Sequence, residues 1–206
     1  MEIPVGRSAL GLGRGRDGLL HVPAAAAEGA VPLVVLLHGA GSSAQAGIAL
    51  LAAHADEHGL LLCAPDARGS TWDVIRGGFG PDVEFLDAAL EHVFATSPVD
   101  AGRVALGGFS DGASYALSLG ITNGDLFTHL IAFSPGFAAP AAPVGQPRMF
   151  VTHGVADRVL PIERCSRRLV PVLRAAGYDV TYEEFAGGHG VPPALAQRAV
   201  RWLAST

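Results

Sequence analysis

The chain has 206 residues, 50% of them hydrophobic, enough to bury a substantial core and rarely enough to make two full domains. Its 14 Lys and Arg against 19 Asp and Glu give a formal charge of -5 with no basic face and no polybasic run, which argues against nucleic acid and against an anionic membrane as partners. No apolar signal-like stretch opens the chain and none reaches the roughly 18 uninterrupted apolar residues of a membrane span. The expectation is one cytoplasmic domain over residues 1–206 that acts on a small molecule without membrane insertion, as a monomer or a homodimer.

In chain order, the glycine-rich Gly11-Leu-Gly-Arg-Gly15 comes first; it neither follows a buried strand nor opens a helix, so it reads as a hairpin turn rather than a phosphate loop. The hairpin is expected to run through Gly18–Val22. Strand-length apolar runs follow at Leu33–Leu37, Leu60–Cys63, Val104–Leu106, Leu130–Phe133 and Met149–Val151, with a last one at Asp179–Glu183. Between them, segments 43–58, 82–96, 111–121, 161–176 and 192–204 have helical length; in the last, Leu195, Ala199 and Leu203 recur at four-residue steps behind Pro192-Pro193. This alternation predicts an α/β fold of three layers, a mostly parallel central sheet with helices on both faces. Cys63 and Cys165 are too few for a disulfide framework and lie in no metal-ligand spacing, so two reduced, packed thiols are expected. His54, His58 and His92 stand on predicted helices without ligand partners at metal spacing and read as solvated surface residues, and no metal or cofactor is called for.

The chemistry enters at Gly108-Phe-Ser-Asp-Gly112, a G-x-S-x-G match directly after a predicted strand and directly before a predicted helix. In a nucleophile elbow the serine sits on a strained turn, and the flanking glycines let strand and helix approach closely. Ser110 is therefore the candidate nucleophile. A serine hydroxyl needs a base to take its proton and an acid to orient that base, and in this fold the order is Ser, then Asp or Glu, then His. Of the histidines that follow, His129 opens a strand and His153 precedes any suitable acid; His189, in Gly187-Gly-His-Gly190 just before the last helix, is the candidate base. Asp157 is the candidate acid, in the loop after the Met149–Val151 strand, whereas Glu163, Asp179, Glu183 and Glu184 fall on helix or strand. His38-Gly-Ala-Gly-Ser-Ser43 after the Leu33–Leu37 strand can present a backbone N–H to a developing oxyanion; Ala40 is the expected donor, the Asp111 amide the second, and His38 a brace for the loop. The long loop 65–81 holds Trp72 and Phe79, which either line a substrate cleft or pack the loop onto the body.

VVLLHGAG, GGFSDGASYA, THGVADRVLPIE and FAGGHGVP, in this order over nearly the whole chain, resemble the α/β-hydrolase superfamily, and within it the small lidless carboxylesterase/phospholipase-like serine esterases; they are also similar to polyhydroxybutyrate-depolymerase-like esterases. The resemblance implies a catalytic Ser110, Asp157 and His189, an oxyanion hole from Ala40 and Asp111, no lid domain, and hydrolysis of an ester through an acyl enzyme. The group usually carries a neutral residue where this chain has Asp111, and an extra carboxylate there is expected to disfavour anionic acyl groups. Dienelactone hydrolases share the outline but use cysteine at the elbow. Residues 134–147, rich in proline, leave no material for a helical lid, so short acyl groups are expected. Thioesterase, lysophospholipase or polyester-oligomer hydrolase activity would use the same residues, and a non-catalytic ligand receptor on the same scaffold is the remaining alternative.

Overall fold

The structure, a computed structural model, describes residues 4–13 and 15–205. Its frame is one 8-stranded sheet in the order β1-β2-β4-β3-β5-β6-β7-β8. Strands β1 (Gly6–Ala9) and β2 (Gly18–Val22) form the antiparallel hairpin, closed by the Asp17 carboxylate, which accepts the Gly11, Leu12 and Gly13 amides; Arg14 of this turn lies outside the described residues. β2 runs antiparallel to β4 (Leu61–Pro65), and from there β3 (Val31–Leu37), β5 (Val99–Phe109), β6 (His129–Phe133), β7 (Arg148–Gly154) and β8 (Val180–Phe185) are all parallel.

Every residue of β3 is buried, and its side chains alternate between two cores. Leu33, Val35 and Leu37 join the cluster beneath helices α3 (Pro81–Thr96), α4 (Asp111–Thr122) and α5 (Ser166–Ala175). Val34 and Leu36 join the cluster beneath α1 (Ala44–Ala49), α2 (Ala52–Ala55) and α6 (Pro193–Ala204). This period of two, covered on both faces, is why the strands read as unbroken apolar runs.

Three expectations shift. The single helix foreseen over 43–58 is broken at Leu50–Leu51, where Leu51 (φ -126°) leaves helical geometry and is fully buried, while Leu50 stays half-buried at the surface. The helix foreseen from 161 begins at Ser166, because Pro161–Cys165 form a turn whose Ile162 carbonyl accepts the Cys165 and Arg167 amides. β5 starts earlier than its apolar run, its partly exposed first half carrying Asp100, Ala101 and Gly102. Residues 134–147 form no helix and no lid; they lie along α4, where the Ser114, Ser118 and Thr122 hydroxyls accept the Gly136, Ala139 and Ala141 amides in succession. Cys63 and Cys165 are both buried and unbridged, and burial pushes the Cys63 thiol up to about 12. Among the described residues no helix is long and apolar enough to cross a membrane.

Candidate active site

The loops that leave the carboxyl ends of β3, β5, β7 and β8 converge on Ser110. The serine links β5 to α4 with φ 58° and ψ -120°, a left-handed conformation that costs a non-glycine residue on the order of 1–3 kcal/mol and turns its side chain out of the strand line. The strain is held from both sides. Its amide donates to the Phe133 carbonyl at 3.0 Å, and its carbonyl accepts the Ser114 amide at 3.0 Å. The turn also forces close approach: a Cβ on Gly112 would stand 2.2 Å from the Leu37 carbonyl oxygen, and one on Gly108 2.6 Å from it, so glycine is required on both sides of the serine.

Ser110 Oγ lies 2.9 Å from His189 Nε2, and His189 Nδ1 lies 2.6 Å from Asp157 Oδ2. A carboxylate only accepts, so the neutral imidazole carries its proton on Nδ1 and its free Nε2 accepts from the serine hydroxyl. The acid and histidine loops are fastened together, with the Val155 amide donating to the Phe185 carbonyl and the Ala156 amide to the Gly187 carbonyl. Gly154 makes this possible, since a Cβ there would be 2.3 Å from the Gly188 carbonyl oxygen. Burial pushes the Asp157 carboxyl up, and the hydrogen bonds from His189 and from the Leu160 and Val159 amides outweigh it, leaving the group below its usual range. The other acids are engaged elsewhere: Glu163 and Glu184 with Arg167, Asp179 with Arg148, Glu183 with Arg198.

His153, set aside as a base from sequence, is fully buried behind Asp157. Its Nε2–H donates to the Leu160 carbonyl at 2.8 Å and stands 3.3 Å from Asp157 Oδ2, and its Nδ1 accepts from the Ser166 hydroxyl at 2.7 Å. Two histidines thus meet at one carboxylate oxygen, and burial lowers the His153 pKa and favours its neutral form. The signal available in sequence was the i, i+4 spacing of His153 and Asp157 across one tight loop.

The β3 loop is braced as expected of His38, whose Nδ1–H donates to the Gly39 carbonyl while its Nε2 accepts the Ala67 amide. Burial lowers the His38 pKa, in keeping with this neutral tautomer. The Gly41 amide donates to the Ser70 carbonyl at 2.6 Å. Among the described residues no protein acceptor takes the Ala40 or Asp111 amide. The Asp111 side chain accepts from the Thr71 hydroxyl at 2.6 Å, a partner that no local pattern disclosed.

Of the two readings left open for Trp72 and Phe79, packing of the loop onto the body accounts for Trp72. Trp72 is 1% exposed: its ring stacks on Tyr115 and its indole N–H donates to the His38 carbonyl, so it packs the long loop onto the body and offers substrate no surface. Phe79 is 37% exposed, but it lines a hollow of about 460 Å³ formed within the long loop, whose walls include neither Ser110 nor His189. His54, His58 and His92 are half-buried. The cleft beside Ser110 is a smaller one of about 340 Å³, walled by Gly39, Ala40, Phe109, His189 and Val191 among others.

This sheet order, with a strained serine after β5 and loops from β7 and β8 brought to it, defines the α/β-hydrolase fold. The signature of the Phospholipase/Carboxylesterase family matches residues 82–205, and the chain belongs to that family. It is 30% identical over 171 residues to NocK of Nocardia uniformis subsp. tsuyamanensis, a protein named as an esterase, the match covering 75% of this chain and 48% of that protein. It is also 30% identical over 116 residues to Acyl-protein thioesterase 1 of Gibberella zeae, covering 50% of this chain and 49% of the other. The chain thus spans about half the length of these curated relatives. The crystal structure of esterase PE8 superimposes with a TM-score of 0.75 at 27% identity, over 93% of this chain and 99% of that one.

Proposed function

We propose that residues 1–206 act as one serine carboxylesterase domain in which Ser110 is the nucleophile, His189 the general base and Asp157 the group that orients His189. The observation that carries this reading is the unbroken chain from Ser110 Oγ to His189 at 2.9 Å and from His189 to Asp157 at 2.6 Å, inside a family of hydrolases. Ser110 Oγ attacks the ester carbonyl carbon as His189 Nε2 takes its proton, and the carbonyl oxygen, now an anion, is received by the free Ala40 and Asp111 amides. His189 returns the proton to the leaving alcohol oxygen, giving an acyl-serine. A water molecule, deprotonated by the same imidazole, then releases the acid and restores the serine. No cofactor enters either half-reaction.

Short acyl groups fit best, because residues 134–147 supply no lid to enclose a long chain and each methylene left in water forgoes roughly 0.8 kcal/mol. The likeness to a thioesterase favours thioesters as a second substrate class for the same residues. The test is Ser110→Ala against a series of p-nitrophenyl esters and matched thioesters. A folded variant reduced by roughly 10³-fold or more on every active substrate is expected; near-normal turnover would remove Ser110 from the mechanism.

A further inference from the structure

The cleft beside Ser110 does not end at the reacting groups. A second hollow of about 330 Å³ adjoins it, and Ala46, Leu50 and Val191 belong to the walls of both, so the two abut along these side chains. The far part crosses the broken α1–α2 segment and the start of α6 over Ala49, Ala53 and Ala196. Its apolar character follows from local structure: the helix break sends Leu51 into the core and leaves Leu50 at the surface, and alanines on the facing helices give an apolar floor without filling the space.

The catalytic geometry decides which half of an ester lies there. After attack, His189 Nε2 must pass its proton to the leaving-group oxygen, so that oxygen sits beside the imidazole. His189, Gly190 and Val191 line the first hollow, Phe109 stands against the imidazole with ring centroids 4.6 Å apart, and the second hollow lies on the other side of Val191. We infer that the two hollows act as one groove, the leaving-group subsite, and that the enzyme acts on esters of small acids with an apolar alcohol long enough to pass Leu50 and reach Ala53. The inference rests on the esterase reading above and extends it to the alcohol side.

Butyl, hexyl and octyl alcohols have nearly the same acidity, so acetate esters of this series vary the apolar chain while the chemistry stays fixed. The parameter kcat/KM covers every step through loss of the alcohol. Full burial of a methylene is worth about fourfold; a groove open on one side captures about half of that free energy, so kcat/KM is expected to rise about twofold per methylene, on the order of tenfold from butyl to octyl acetate. A matched series of ethyl esters, from acetate to octanoate, is expected not to rise. Ala53 is exposed, so Ala53→Trp fills the far end without entering the core, and it is expected to bring octyl acetate down to the level of butyl acetate. A flat alcohol series with Ser110-dependent turnover, a rise confined to the acyl series, or a rise that survives Ala53→Trp would each overturn the subsite while leaving the esterase reading in place. Absence of Ser110-dependent turnover of any ester would remove that reading and the subsite with it.

Discussion

Replacing Asp157 by asparagine keeps the shape of the side chain and changes what it can accept. In the native site Oδ1 accepts the Val159 and Leu160 amides at 2.9 and 2.8 Å, and Oδ2 accepts His189 Nδ1–H at 2.6 Å with His153 Nε2–H 3.3 Å away. Asparagine has one oxygen for these two sets of donors. Turning its NH₂ toward the backbone would leave two amides unsatisfied in a place where Asp157 is only 5% exposed, at about 1–3 kcal/mol each. The oxygen therefore stays with the amides, and the NH₂ faces both imidazoles. His189 can meet it only by moving its proton to Nε2, where it points at Ser110 and can no longer receive the serine proton. The expected loss in kcat is on the order of 10⁴, equivalent to about 5.5 kcal/mol of transition-state stabilisation. His153 cannot make the same switch without abandoning the Leu160 carbonyl, so the variant also loses about 1–3 kcal/mol of stability, a drop in Tm of about 2–12 °C for a chain of this size. Initial rates on p-nitrophenyl acetate together with thermal melts measure both effects. A folded Asp157→Asn variant within about tenfold of the parent rate would refute the tautomer argument. Glu163→Gln, which alters an exposed pair with Arg167, is the control and is expected to stay within about twofold.

Gly112→Ala pushes a Cβ to 2.2 Å from the Leu37 carbonyl oxygen, an overpacking that costs at least about 1–3 kcal/mol; calorimetry should show a lower Tm, while Gly78→Ala, which meets nothing within 4 Å, should leave Tm nearly unchanged. Burial, reinforced by Arg148 and Arg103, lowers the His129 pKa from 6.5 to about 4. The unfolded chain therefore takes up this proton first as pH falls, and the stability present above pH 6.5 is lost between about 6.5 and 4, by up to about 3 kcal/mol. Urea melts at pH 7 and 4.5 are expected to show a smaller acid loss in His129→Gln, and an unchanged loss would exclude His129 as its source. Thr71→Val removes the hydroxyl that holds Asp111 and is expected to lower kcat/KM by about tenfold, with Thr71→Ser restoring most of it; equal activity of both variants would show that the pair has no bearing on the site.

Much of this fold was legible because its central strands are buried on both faces, so β3, β4, β6 and β7 appear as short apolar runs. What was not legible lies where tertiary packing overrides local pattern. The helix break at Leu51 is set by the space beneath it in the core, and the early start of β5 carries polar residues that look like a turn. Ser110, Asp157 and His189 could be picked out as candidates because each stands in a short loop with a glycine within three residues, after a predicted strand and in a fixed order. His153 offered only its i, i+4 spacing to Asp157, since a histidine that ends a strand otherwise looks the same whether it supports a carboxylate or fills a core.

Asp111 marks the limit of reading chemistry from residue type. Next to a nucleophile in sequence, a carboxylate is a charge expected to repel anionic substrates; in the fold it accepts from Thr71, and the loop that carries Thr71 also supplies the Ser70 carbonyl for the Gly41 amide, the Ala67 amide for His38, and the Trp72 indole for the His38 carbonyl. The long loop after β4 therefore ties the elbow, through the Asp111 side chain, to the β3 loop, through His38 and Gly41, from outside. Its two cross-accepting carboxylates, Asp73 for the Gly80 and Asp82 amides and Asp82 for the Arg68 and Asp73 amides, hold it in that shape. Loop length alone suggested a binding segment. The hydrogen bonds fasten it to the Asp111 side chain and to the loop that carries Ala40, so under the proposed mechanism a substitution within it is expected to act on the rate of acylation before it acts on the choice of substrate.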